Sequence, residues 1–484
     1  DKLKSDGESL VSSVPSRKKG RNPKDETALL ISEFGAFENP PDYEKVLSTY
    51  TPAERKLGLE DYAQHKRYYD SLKEQFKKGK LAEIFGSVDK LIRASQDLHC
   101  EDIRAILSAM RANPRNSGWV FTQLADASGE IFGATDIWRN PRRWFKDMAA
   151  ACQTPLIVPH VTTRVVAPGD PVGVNLRIVN ENTTGVSYTW KLTVRGGGRT
   201  VLSKSGTVRA KGWVLEVLDT GLAAPKKAGR YTVEAELRAG SKLLSSNYIR
   251  FTVIEPAAAP CDRIGMFSID NELRPVLEGL GIARVDKGGN NYRHKNVPCV
   301  YLPRPHHHLG LVSEYNQQLR RIVTLGGAAL VLEAQTPMLF DELTPTLIKM
   351  QVPMRNMLYM RPSQIWDGLP NSGGLMDYEF ADVLAGRANA STSADDVVAA
   401  GGKSFCGTLC AHMWTGPEVY QHGSLINVVP IGRGHLVFCQ FNLVEQAATN
   451  AVARRMLANL IRYTASLVKT GGEKLMLSRC IDKL

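Results

Sequence analysis

Two short segments, residues 28–32 and 119–124, constrain the fold of this 484-residue chain more than any other feature. Both are mainly apolar without regular alternation, which is typical of strands buried on both faces of a parallel sheet. Between them, apolar residues recur at helical spacing, as at Ile103, Ile106, Leu107 and Met110. A strand, a long helical crossover and a second strand indicate parallel pairing. We therefore expect residues 28–153 to form two β/α units of a larger sheet.

Two further sequence patterns follow. Residues 154–256 contain short alternating strands separated by Gly- and Pro-containing turns, which predicts an immunoglobulin-like β-sandwich. Residues 257–470 alternate strands with helices, as in an open and mostly parallel α/β sheet. Residues 1–27 are polar and basic and predict a loop or linker, and residues 471–484 form a C-terminal tail. The fold class is therefore multidomain α/β plus all-β, and the length agrees with about three domains.

Composition excludes several classes of function. The formal net charge is +12, but the basic residues are spread along the chain without interleaved aromatics, so no nucleic-acid partner is predicted. The apolar runs are far shorter than the ~20 residues of a membrane span. We therefore expect a soluble protein. The eight cysteines include no CxxC pair and do not indicate a disulfide framework, so the sequence does not distinguish a cytoplasmic protein from a periplasmic or secreted one. The chain lacks an initial Met, so we expect the gene product to start elsewhere.

The most informative polar residue is Glu33, which with Ser32 closes the first apolar segment. In a (β/α)8 barrel the carboxyl ends of the strands build the active site, so an acid at this position is typical of catalysis. A glutamate that caps a helix or forms a salt bridge fits the spacing equally well. The residues alone leave both interpretations open.

Residues 30–35, with the sequence LISEFG, resemble the segment that holds the nucleophilic glutamate in glycoside hydrolase family 2. This family includes β-galactosidases, β-glucuronidases and β-mannosidases. Residues 118–126 and 139–142 are similar to its last barrel strand and exit loop. The resemblance implies the C-terminal part of a (β/α)8 barrel in a retaining β-glycosidase. It implies Glu33 as the nucleophile, Thr122 and Asp126 as substrate-binding residues, a carbohydrate substrate, and no cofactor or metal.

The third domain resembles the glutamine-amidotransferase-like accessory domain, of flavodoxin-like α/β type, that follows the sandwich in some of these hydrolases. Residues 367–370 and 429–434 carry that resemblance. Cys406 lacks the first Gly of an amidotransferase nucleophile turn, and no His is paired with it, so we expect a structural role. Three other features have a structural interpretation. The histidines at 306–308 suggest a polar loop rather than a metal site. Cys406 and Cys410, with His412 nearby, lack a fourth zinc ligand and suggest buried thiols. Residues 271–272 suggest a helix start rather than an acid/base.

A retaining glycosidase requires a second carboxylate about 5–5.5 Å from the nucleophile. The resemblance places this acid/base on the order of a hundred residues earlier, whereas only 32 residues precede Glu33. We therefore expect a second polypeptide to complete the barrel in an assembly of higher order. A split enzyme, a nicked precursor and a truncated chain all remain open. The alternative function is a non-catalytic scaffold or a carbohydrate-binding subunit derived from such a hydrolase.

Overall fold

A computed structural model describes most of the chain. It covers residues 29–35, 40–127, 130–131, 133–181, 185–268, 272–287, 296–302, 309–333, 347–349, 357–370, 373–384, 390–393, 398, 401–411 and 420–468. The predicted linker and tail, the histidines at 306–308, His412 and Asn271 lie outside these residues, as does the side chain of Cys410. The described elements form several sheets with helices packed around them.

The first unit contains a two-stranded parallel sheet, β1 (Leu29–Phe34) and β2 (Asn116–Phe121). Six helices lie between and after these strands: α1 (Tyr43–Thr49), α2 (Pro52–Leu57), α3 (Glu60–Lys78), α4 (Ala82–Phe85), α5 (Val88–Ala112) and α6 (Phe145–Cys152). The predicted helical periodicity lies in α5, and its apolar stripe is buried. The side chain of Ser87 accepts a hydrogen bond from the Lys90 N–H and so caps the first turn of α5.

The second unit is a sandwich of two antiparallel sheets that share one apolar core. Its strands are β3 (Leu156–Val161), β4 (Val165–Val166), β5 (Pro171–Val179), β6 (Ser187–Gly196), β7 (Arg199–Arg209), β8 (Val214–Ala223), β9 (Gly229–Ala239) and β10 (Lys242–Val253). One sheet has the order β3-β5-β8, and the other has the order β4-β10-β9-β6-β7, in which β4 alone pairs in parallel. The alternating burial of β5 and β9 agrees with the predicted β-sandwich.

The third unit, which we call the accessory domain, is built on an eleven-stranded sheet. Its described elements are β11 (Arg263–Ser268), α7 (Leu273–Gly279), β12 (Arg284–Lys287), β13 (Cys299–Leu302), α8 (Leu309–Thr324), β14 (Ala328–Leu332), β15 (Leu347–Lys349), β16 (Leu358–Met360), β17 (Gly374–Leu375), α9 (Ala381–Leu384), β18 (Ala390–Ser393), β19 (Lys403–Ala411), β20 (Tyr420–Ile431), β21 (Gly434–Cys439), α10 (Leu443–Gln446) and α11 (Ala451–Ser466).

The prediction that this sheet is mostly parallel is wrong. Strands β12, β11, β13, β14 and β21 are parallel in that order, but β20, β19, β16 and β17 continue the sheet with antiparallel pairing. The reversal occurs at a tight turn formed by Gly432 and Arg433, which returns β20 directly into β21. Gly432 has a φ of 57°, a left-handed conformation that glycine adopts without a side-chain clash. The sheet is therefore mixed.

The helices of the first unit pack against the accessory domain. Residues of α1 and α3 share an apolar cluster with Met357, Tyr359 and Leu409. The hydroxyls of Tyr43 and Tyr420 lie 3.0 Å apart in this junction. The accessory domain therefore covers part of the surface of these helices.

The sheet of the first unit is covered on one face. The rings of Phe34, Trp119 and Phe121 pack against the cluster that contains Ile103 and Leu107 of α5. On the other face, Leu30 is 63% exposed and Val120 is 52% exposed, although burial on both faces was predicted. The helix α5 packs on the opposite face, and no third strand pairs with β1 or β2 within the described residues. The (β/α)8 barrel therefore stays a prediction.

Within the described residues, no helix combines the length and the apolar character that a transmembrane segment needs.

Candidate active site

Glu33 and Thr122 lie at the same edge of the two-stranded sheet. Glu33 is the penultimate residue of β1, and its side chain is exposed to solvent. The Thr122 N–H donates a 2.7 Å hydrogen bond to the carbonyl oxygen of Phe34, which fixes the end of β2 beside the end of β1. Because the strands are parallel, both residues lie at the carboxyl edge, where α/β folds place their sites.

The Glu33 carboxylate has no hydrogen-bond donor and no ion-pair partner among the residues that the structure describes. It caps none of the six helices of the first unit. The two alternatives left open by the sequence, a helix cap and an internal salt bridge, therefore have no counterpart in the described part of the chain.

Gly35 anchors the segment that carries Glu33. Its φ is +102°, and a Cβ atom at this position would lie 2.3 Å from the Phe121 ring. The ring of Phe34 is meanwhile held edge-on to Trp119 at 6.2 Å and to Phe121 at 5.9 Å. Phe34 and Gly35 thus hold the end of β1 against β2, and Glu33 stays on the exposed side.

Asp126 lies in the loop after β2 and is buried. Its two carboxylate oxygens accept hydrogen bonds of 2.8 and 2.6 Å from Nη2 of Arg142, and Oδ1 also accepts one of 2.7 Å from the Gly133 N–H. Burial raises the pKa of the Asp126 carboxyl, and the charge and hydrogen bonds of Arg142 oppose that rise. Both oxygens are engaged within the chain, so Asp126 holds the loop from residue 126 to residue 142 in place.

Asp136 also stabilises the conformation of this loop. Its Oδ1 accepts hydrogen bonds from the backbone N–H groups of Trp138 and Asn140 at 2.9 and 2.8 Å. Trp138 is 37% exposed, its indole N–H donates to the Val46 carbonyl at 3.2 Å, and its ring packs on Tyr50. Sequence reasoning missed Trp138, because its partners come from α1 and from Tyr50, the residue that follows that helix.

The remaining candidates are not brought to this edge. Glu272 directly precedes α7 in the accessory domain, which agrees with the predicted helix start. Cys406 is buried in β19, and burial raises its pKa well above the usual thiol range, as expected of an inert thiol. Among the described residues, no group of three or more His, Cys, Asp or Glu side chains is arranged to hold a metal ion.

Comparison with known proteins gives distant similarities. No protein-family model and no curated protein sequence matches the chain. Among solved structures, an exo-chitosanase of Amycolatopsis orientalis is 16% identical over 37% of this chain and 21% of its own, with a TM-score of 0.27. The chain thus spans about a fifth of the length of that enzyme. A Bacteroides uniformis β-glucuronidase is 10% identical over 37% and 33%, with a TM-score of 0.17.

A further similarity is to a single domain. The CARDB domain of a Pyrococcus furiosus protein is 15% identical and covers 21% of this chain and 92% of its own length, with a TM-score of 0.17. The similar structures thus include glycoside hydrolases and a CARDB domain, all at low coverage of the chain.

Proposed function

We propose that this chain is the C-terminal part of a retaining β-glycosidase and that Glu33 is its nucleophile. The observation that carries the proposal is an exposed carboxylate, without a described partner, at the carboxyl end of a strand that Phe34 and Gly35 hold in place. A glutamate with a structural role is normally paired or capped, whereas a nucleophile must be accessible to substrate. The resemblance of residues 30–35 to the nucleophile segment of glycoside hydrolase family 2 supports the same role.

The proposed reaction is a double displacement. A carboxylate oxygen of Glu33 attacks the anomeric carbon while the bond to the leaving oxygen breaks, and that oxygen takes a proton from a second carboxylic acid. The resulting glycosyl ester at Glu33 is then attacked by a water molecule, which gives its proton to the same second carboxylate. The sugar is released, and Glu33 and the acid return to their starting forms.

Thr122 and Asp126 have different roles in this proposal. Thr122 is half-buried at the same edge as Glu33, so its hydroxyl is proposed to contact the sugar. Asp126 is proposed to act on the substrate site through the loop that it anchors, because Arg142 and Gly133 occupy both of its oxygens.

The acid/base is proposed to come from a second polypeptide that completes the barrel. Two features of the described residues support this: the outer edges of β1 and β2 are unpaired, and Leu30 and Val120 expose apolar surface beside Glu33. Unpaired edges and apolar faces are normally covered in stable proteins. The active species is therefore proposed to be an assembly of higher order.

Turnover of aryl β-glycosides tests the proposal. The tagged chain is isolated together with its partner and assayed with a panel of these substrates. Glu33→Gln is expected to reduce turnover by roughly a thousandfold or more, because it removes the nucleophile without changing side-chain size. Glu272→Gln, in the accessory domain, is the matched control and is expected to leave turnover unchanged. Unchanged turnover in Glu33→Gln would refute the assignment, and an assembly inactive toward the whole panel would favour the non-catalytic alternative.

A further inference from the structure

The second feature that calls for a function lies at the carboxyl edge of the accessory domain. Its strands β12, β11, β13, β14 and β21 have the order 2-1-3-4-5 of flavodoxin-like sheets. Sheets of this kind bind ligands outside the carboxyl ends of their strands. Glu333 follows β14 and Gln440 follows β21 directly. The Glu333 N–H donates a 2.8 Å hydrogen bond to the Cys439 carbonyl, so Glu333 and Gln440 occupy neighbouring register positions.

Glu333 has an unusual backbone conformation. Its φ is +51°, in the left-handed region that residues other than glycine rarely occupy, and the residue is only 4% exposed. Its Oε1 accepts a 3.1 Å hydrogen bond from the Val444 N–H at the start of α10. Strained residues of this kind persist where the surrounding fold requires them, and they cluster at functional sites.

Gln440 supplies an independent observation. The residue is 2% exposed, and neither its Oε1 nor its Nε2 has a hydrogen-bond partner within the described residues. A buried amide without partners is unfavourable, and the great majority of buried polar side chains are satisfied by protein, water or ligand. An unpaired donor and an unpaired acceptor therefore belong to the residue that is the register neighbour of the buried Glu333.

From this pair we infer a binding site for a small, uncharged, polyhydroxylated compound at Glu333 and Gln440. The amide offers one acceptor and one donor group, and a carboxylate offers acceptors alone. A hydroxyl both donates and accepts, so neighbouring hydroxyls satisfy all of these groups together. An ammonium group would leave the Gln440 NH₂ without an acceptor, and an anion would be repelled by Glu333. Sugars belong to the class that remains.

This inference is independent of the proposed glycosidase reaction, because its test measures binding rather than turnover. The full chain is titrated by calorimetry with D-glucose, D-galactose, D-mannose and myo-inositol, and with D-glucuronate as the anionic comparator. At least one of the neutral compounds is expected to bind saturably. If glucose binds, glucuronate is expected to bind at least tenfold more weakly than glucose.

Variants at the site and beside it locate the binding. Glu333→Gly, which suits the positive φ, and Gln440→Leu, which keeps the volume, are each expected to weaken binding at least tenfold. Glu445→Gln, at an exposed neighbouring position on α10, is the control and is expected to leave binding unchanged. Circular dichroism checks that each variant is folded. The inference is overturned if none of the neutral compounds binds the wild-type chain, which would leave water as the partner of Gln440, or if binding survives in both Glu333→Gly and Gln440→Leu.

Discussion

Gly35 confines the end of β1, where Glu33 lies, and the substitution Gly35→Ala tests this role. A Cβ atom at Gly35 would lie 2.3 Å from the Phe121 ring, whereas a Cβ at Gly58, which also has a positive φ, would contact nothing within 4 Å. Both Gly→Ala changes strain the backbone, but only Gly35→Ala adds a clash. We expect Gly35→Ala to cost clearly more than the roughly 1 kcal/mol of backbone strain. Urea unfolding of both variants measures the difference, and equal losses would show that Phe121 does not confine this turn.

The pair formed by Asp126 and Arg142 is a buried electrostatic anchor of the loop after β2. The two side chains are 0% and 2% exposed, whereas those of Asp97 and Arg143 are 53% and 51% exposed. Asp126→Asn removes one charge of this buried ion pair, so we expect a loss of about 3–5 kcal/mol in unfolding free energy. Asp97→Asn should cost at most about 1 kcal/mol. Similar small losses in both variants would contradict the anchoring role.

At the scale of elements, the contact between α5 and the sandwich contains a buried histidine. Burial, together with the positive charge of Arg177, lowers the pKa of His160 to about 4. The unfolded chain takes up a proton at this residue near pH 6.5, whereas the folded chain does so only near pH 4. Folding stability therefore falls as the pH drops from about 6.5 to about 4. Below about pH 4, His160 causes no further loss of stability.

The role of His160 is tested by comparing the pH dependence of unfolding free energy in the wild type and in His160→Gln. Between pH 7 and pH 5, we expect the wild type to lose about 2 kcal/mol more unfolding free energy than His160→Gln. His422, whose pKa burial also lowers to about 4, contributes equally in both proteins. Chemical unfolding at the two pH values measures the difference. Parallel pH dependence in the two proteins would show that His160 titrates normally in the folded state.

Helices and strands with a clear pattern of apolar residues were predictable from the sequence, and elements without such a pattern were not. The long helix α5 follows from its apolar spacing, and β14 is recognisable as a run of five apolar residues, all of which are buried. Strand β7 was not predicted, since it is an edge strand whose residues are mostly exposed and carry no apolar pattern. The direction of β20 depends on the turn at Gly432, which composition alone does not reveal.

The same limit applies to the candidate sites. Glu33 could be singled out because the residues that make it recognisable, 30–35, are consecutive in the sequence. The pairing of Asp126 with Arg142 spans sixteen residues, and the contact of Tyr43 with Tyr420 spans 377. The neighbourhood of Glu333 and Gln440 depends on the pairing of two distant strands. Spatial relations of this kind are set by tertiary packing and leave no local periodicity.

At the scale of the whole molecule, the open face of β1 and β2 is the surface that the proposed partner covers. We expect Leu30→Asp combined with Val120→Asp to abolish the complex, because charges would then be buried in an apolar contact. Val201→Asp, at another exposed apolar residue on β7, is the control and should leave the complex intact. Native mass spectrometry of the tagged chain decides this. A wild-type chain that remains a folded monomer with a protease-resistant first unit would contradict the predicted partner.

Covalent labelling of Glu33 tests the central claim most directly. The assembly is incubated with 2-deoxy-2-fluoro β-glycosides that carry a good leaving group, and the chain is then digested and analysed by mass spectrometry. A retaining enzyme accumulates the glycosyl ester, so one added fluorosugar is expected on the peptide that contains Glu33 and none in Glu33→Gln. A label at another carboxylate, or turnover of substrate by an assembly in which Glu33 stays unmodified, would contradict the assignment.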